Sequence, residues 1–93
     1  MRVDLVLKYL CLVRSRSSAK LLCSDDAILV NDRPVKPSTT VRIGDTITIH
    51  FSTRTLGLEL LDVPGKQLSR SVAPSYYRKI LDVDTRDADT ELE

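Results

Sequence analysis

The segment Asp4 to Val13, DLVLKYLCLV, is apolar on nearly every side. Asp4 and Lys8 alone interrupt it, one helical turn apart and in the acid-then-base order that favours pairing. This pattern predicts a helix buried over most of its surface with one narrow wet edge. Asp4 in the first turn also complements the helix dipole. Arg14 and Ser15 end the apolar run, and Ser15 is placed to N-cap a second helix, Arg16 to Ser24. On that helix Ala19, Leu22 and Cys23 share the inward stripe, while Arg16 and Lys20 project together from another side. Asp25 and Asp26 close the helix without the usual Gly, and Asp tolerates the left-handed conformation better than most residues. Ile28-Leu29-Val30 then reads as a strand, Asn31-Asp32 as a two-residue turn and Arg33-Pro34-Val35 as the returning edge.

A polar loop, Lys36 to Thr40, and a turn, Arg42 to Asp45, lead into Thr46 to Phe51, where Ile47, Ile49 and Phe51 alternate with Thr46, Thr48 and His50. Thr55 to Val63 alternates again through Leu56, Leu58 and Leu60, which predicts an antiparallel hairpin with Gly57 marking a bulge. Pro64-Gly65 closes it, and Lys66 to Val72 reads as a basic loop. Pro74 suits the first turn of a short helix carrying Tyr76, Tyr77, Ile80 and Leu81. From Asp82 onward acids dominate without hydrophobic periodicity, the composition of a disordered tail. The expected fold is α+β: two N-terminal helices packed on a small, mostly antiparallel sheet, with a second hairpin and a short C-terminal helix. Residues 1–81 make one domain and residues 82–93 the acidic tail.

Composition changes this picture in three respects. Aromatic residues are few (Tyr9, Phe51, Tyr76 and Tyr77, with no Trp), so the core is mostly Leu, Val and Ile and no broad base-stacking platform is available. The opening run is interrupted by charges and followed by no small-residue cleavage site, which argues against a signal peptide or membrane span. Cys11 and Cys23 lack metal-ligand spacing and read as buried cytosolic thiols, and His50 stands alone as an exposed strand residue. No catalytic group, metal site or cofactor loop is recognisable. Net charge is the third point: residues 1–81 carry 13 Lys and Arg against 7 Asp and Glu, a balance of plus six. Residues 82–93 carry Arg86 against six acids, a balance of minus five. A near-neutral total thus hides a basic domain, the sign expected of a nucleic-acid binder.

The candidate chemistry lies in residues 14–20. Open N–H groups at the start of the second helix favour an anion, Ser15 and Ser17 offer hydroxyls, and Arg16 offers a bidentate fork. Arg14, Lys20 and Lys36 extend the basic surface, with Arg33 adjacent. The alternative is an ordinary solvated helix with surface cations.

Arg2-Val3-Asp4, Arg14-Ser15-Arg16, Ala19-Lys20, Ile28 to Asn31, Val35-Lys36 and Ile43-Gly44-Asp45 follow one another in an order that resembles the RNA-binding domain named after small-subunit ribosomal protein S-four. The resemblance covers roughly residues 1–51 and lies in the ordered combination rather than in any one piece. Asp26-Ala27 and Asp32 stand where the family usually has Gly. The layout of the whole chain is similar to the small heat-shock-type members that bind the large ribosomal subunit. That resemblance implies a cytoplasmic, monomeric, non-catalytic binder of structured RNA, contacting ribosomal RNA and tRNA in the rescue of stalled ribosomes. It nominates Arg2, Arg14, Ser15, Arg16, Lys20, Asn31 and Lys36 as RNA-binding residues. Two other readings are an RNA-targeting module assisting an RNA-modifying enzyme and a protein-interaction adaptor using the acidic tail.

Overall fold

The computed structural model describes residues 1–84; residues 85–93 lie outside the described part. Helix α1 spans Val3–Tyr9 and turns Val3, Val6 and Leu7 inward, the i, i+3, i+4 stripe of a core-facing helix. It is shorter than the apolar run predicted. The N–H of Leu12 reaches the carbonyl of Leu7 (3.0 Å) and that of Cys11 the carbonyl of Lys8 (3.0 Å), with Cys11 at φ 61°. That is a Schellman termination with Cys in the position Gly usually holds. Leu12 and Val13 thereby leave the helix and pack against the core from the connecting loop.

Helix α2, Arg16–Ser24, starts where expected: the Ser15 hydroxyl accepts the N–H of Ser18 at 3.2 Å. It ends in a second Schellman pair, Ala27 N–H to Leu22 carbonyl (2.8 Å) and Asp26 N–H to Cys23 carbonyl (3.1 Å), with Asp26 at φ 54°. Strands β1 (Ile28–Val30) and β2 (Arg33–Pro34) form a hairpin whose two turn residues, Asn31 and Asp32, both have positive φ (52° and 67°), as a type I′ turn requires. Both positions at which the S-four-type pattern has Gly are therefore left-handed, and Asp occupies them.

Strands β3 (Thr46–His50) and β4 (Arg54–Leu60) make the predicted antiparallel hairpin. With β5 (Tyr77–Asp84) they complete an antiparallel sheet of order β2-β1-β3-β4-β5. Ile28, Ile47, Ile49, Leu56, Leu58 and Leu60 face the helices and are fully buried with Val3, Val6, Leu7 and Leu10.

The C-terminal helix expected over Pro74 to Leu81 does not form. Pro74 opens only a single 3-10 turn, Ala73–Tyr76, and Tyr77–Asp84 is strand β5, paired with β4 from Leu60↔Tyr77 to Arg54↔Asp84. Its Tyr, Ile and Val favour strand, and β4 offers an open ladder that a short helix would leave unsatisfied. Ile80, Leu81 and Val83 are 49%, 44% and 43% exposed, so the helical spacing did not mark a buried face. Asp82 to Asp84, assigned to a disordered tail, are the end of this strand, held by ion pairs from Arg54 and Lys79 to Asp82. The rest of the stretch lies outside the described residues. The bulge expected at Gly57 is present as a register shift between Gly57 and Leu58 against β5.

Candidate nucleic-acid interface

The cationic face is built on a buried acid. Asp4 is 0% exposed, although the sequence pattern put it on a wet edge facing Lys8. Its Oδ1 accepts the N–H of Leu5 (2.8 Å) and Nε of Arg2 (3.1 Å), while Oδ2 accepts Nη2 of Arg2 (3.0 Å). Nε of Arg16, carried on α2, lies 3.5 Å from the same Oδ2. That Nε is itself buried with no hydrogen-bond partner, so the ion pair is what compensates its desolvation. One carboxylate thus fixes two guanidinium groups from different parts of the chain, each still 41% exposed. Arg2 gives the carboxylate one edge of its fork, leaving Nη1 and one Nη2 hydrogen for a ligand.

The backbone brings further cations to this face. The N–H groups of Val3 and Asp4 donate to the carbonyls of Thr39 (2.8 Å) and Pro37 (3.3 Å), which lays residues 37–39 beside Arg2 and Asp4. Lys36 lines a groove with Cys23 and Ser24 at the far end of α2. Arg16, Lys20 and Ser24 share one stripe of that helix. The stripe is therefore flanked by Arg2 at one end and Lys36 at the other. Lys20 and Lys36 are exposed and make no ion pair among the described residues.

The other nominated residues sit apart from this cluster or have structural duties. Arg14 is exposed on the α1–α2 loop, where it lines a different groove with Lys8 and Arg70. Ser15 accepts the N–H of Ser18, so its cap occupies one of the helix-start donors that an anion would use. Asn31 staples the hairpin turn to β3: its Oδ1 accepts the N–H of Thr46 (3.0 Å) and its Nδ2 donates to Asp45 (3.1 Å), leaving one amide hydrogen. Arg33 is exposed on edge strand β2.

Sequence reasoning missed Asp4 as the organiser of the site. The signal was there, since Asp4 shares its helix face with Leu7, and an acid on a core-facing stripe needs a cationic partner. The cations that follow β4 have different surroundings: Arg78 pairs with Glu59 and Lys79 with Asp82 on the sheet, whereas Arg70 lines a groove with Lys8 and Arg14. Among the described residues no three His, Cys, Asp or Glu side chains are grouped to hold a metal ion, and no helix is long and apolar enough to cross a membrane.

Comparison with known proteins bears on the fold and the family. Heat shock protein 15 of Vibrio cholerae, solved as a trimer, superposes with a TM-score of 0.80 over 85% of this chain and 80% of that one. At 23% identity, that likeness is one of fold. The RQC P-site tRNA stabilizing factor of Halalkalibacterium halodurans is 35% identical over 63 residues, covering 68% of this chain and 72% of that protein. The S4 domain profile matches residues 1–47, the stretch that holds both helices, the first hairpin and the Asp4 cluster. The chain belongs to the S4 domain family.

Proposed function

We propose that this chain is a non-catalytic, cytoplasmic RNA-binding protein that grips structured RNA on the large ribosomal subunit, contacting ribosomal RNA and tRNA when ribosomes stall. The observation that carries the reading is the pair of guanidinium groups held by buried Asp4. An arginine whose rotamer is already fixed loses less entropy on meeting a phosphate than one free in solvent. Two such forks at the edge of a lysine-bearing helix read backbone geometry rather than base sequence, which suits a folded RNA. The ribosomal setting is supported by the relative named for stabilising P-site tRNA. The protein acts as a single chain on this reading, and a sedimentation run at micromolar concentration that returned a stable trimer would correct that part.

The test is affinity for a ribosomal RNA fragment across a salt series. Each phosphate neutralised contributes a slope of about 0.7–0.9 in log affinity per decade of salt. Arg16→Ala combined with Lys20→Ala removes two contacts, so the slope should fall by about 1.4–1.8. Unchanged affinity and slope in that variant would sink the proposed grip.

A further inference from the structure

A second concave surface lies beyond the Asp4 cluster, where the segment following β4 folds against the end of α1. The groove has a volume of about 370 Å³ and takes Lys8 from α1, Arg14 from the α1–α2 loop and Arg70 from the loop before the 3-10 turn. No acid lines it. None of the three cations makes an ion pair among the described residues, in contrast to Arg54, Arg78 and Lys79 on the sheet. Three like charges gathered from three segments give the groove a positive potential that attracts an anion.

The feature that would otherwise repel an anion here is covered. The C-terminal end of a helix presents unpaired carbonyls and a negative dipole. Gln67 turns its amide onto the carbonyls of Lys8 (3.1 Å) and Tyr9 (3.3 Å), and the N–H of Leu68 donates to Tyr9 (3.1 Å). The thiol of Cys11 in turn donates to the carbonyl of Leu68 (3.2 Å), which ties the loop down beside the groove. The loop thus both caps the carbonyl edge and delivers Arg70.

We infer that this groove is a second phosphodiester site, formed by the segment after β4 against the end of α1, which holds an RNA phosphate distinct from those gripped along α2. It rests on the RNA-binding reading and extends it: Arg70 lies outside residues 1–47 matched to the S4 domain, so residues beyond that match enlarge the footprint. A phosphate seated between Arg14 and Arg70 meets planar donors from two sides, with Lys8 supplying a point charge.

The test uses the full chain and one structured ribosomal RNA fragment, with binding read by fluorescence anisotropy over a salt series. Loss of one phosphate contact at 0.1 M salt weakens binding by about five- to eightfold and lowers the salt slope by about 0.7–0.9. That result is expected for Arg70→Gln and for Lys8→Gln, whereas Arg70→Lys should keep most of the slope. Lys8 is half-buried and Arg70 exposed, and matched melting temperatures check that the variants fold. If Arg16→Ala weakens binding while Arg70→Gln and Lys8→Gln leave affinity and slope unchanged, the groove inference is overturned and the α2 grip stands. If the unaltered chain shows no salt-dependent RNA binding at all, the functional reading itself fails, and the groove with it.

Discussion

Asp4→Asn separates a positioning role from a simple charge effect. Asparagine keeps the shape of the side chain and one acceptor oxygen but removes the charge that faces Arg2 at 3.0 Å and Arg16 at 3.5 Å. Breaking a fully buried pair costs about 3–5 kcal/mol. Here the carboxylate is 0% exposed but each guanidinium is 41% exposed and can turn toward water, so about 2–3 kcal/mol is the appropriate figure. A chain of this length has a total stability of roughly 5–14 kcal/mol, so a melting point lower by roughly 10–20 °C is expected. Urea unfolding followed by circular dichroism gives the energy directly. RNA affinity, measured well below the melting point, then discriminates between mechanisms. Removing an acid makes the protein more positive, so a bare charge effect strengthens binding; loss of the fork geometry weakens it severalfold. A loss of stability below about 0.5 kcal/mol, together with tighter RNA binding, would refute the claim that Asp4 organises the face.

The left-handed Asp positions give the converse sign: Asp26→Gly and Asp32→Gly should each stabilise by roughly 0.5–1 kcal/mol in urea unfolding, because φ there is 54° and 67°. Gly57→Ala should destabilise by about 1–2 kcal/mol and raise hydrogen exchange in β5, since the added Cβ meets Leu81 Cβ at 3.0 Å. Burial, with the Asp4 charge adding, pushes the Cys23 thiol above its ordinary value of 9.0. The fold therefore holds this proton longer than the unfolded chain does. Its contribution is whole below about pH 9 and is lost as pH rises toward the folded value, by at most about 1.4 kcal/mol per unit. Cys23→Ala should accordingly lose stability less steeply between pH 9 and 10.5, and parallel curves would count against the assignment.

Both helices, the first hairpin and the β3–β4 pair could be read from the chain because each is specified locally. Ser15 caps, Ala19 and Cys23 keep the inward stripe of α2, and Ile47 and Ile49 alternate cleanly with threonines. What local pattern could not reveal was decided by partners distant in sequence. Tyr76, Tyr77, Ile80 and Leu81 satisfy helical spacing, but the open edge of β4 converts the segment to strand through backbone pairing that no window of β5 alone contains. Leu10 to Val13 continues the apolar run, yet Cys11 at φ 61° ends α1 because Leu12 and Val13 have a better place against the core. Asp4 paired plausibly with Lys8 at i+4, and only the fold shows that Arg16, twelve residues on, takes that role. The exposed cations of the site were legible as charge, and the acid was legible as needing a cation, but which cations it orients was not.

The placement of acids favours the helical side, rather than the sheet, as the side proposed for RNA. Arg54, Arg78 and Lys79 are answered on β4 and β5 by Asp82 and Glu59, so the C-terminal edge of the sheet carries cations without a strong positive field. Had Asp82 and Asp84 belonged to a free tail, they could fold back over Arg16 and Lys20 and screen them. Fixed in β5 they cannot, because Asp82 is paired with Arg54 and Lys79 at the β5 edge of the sheet. On the helical side, among the described residues, the acid ion-paired with the cations is Asp4, and it is buried beneath them, where it aims two guanidinium groups without covering the edge a phosphate would meet. The same count of charges spread evenly over the surface would give the same isoelectric point and no grip.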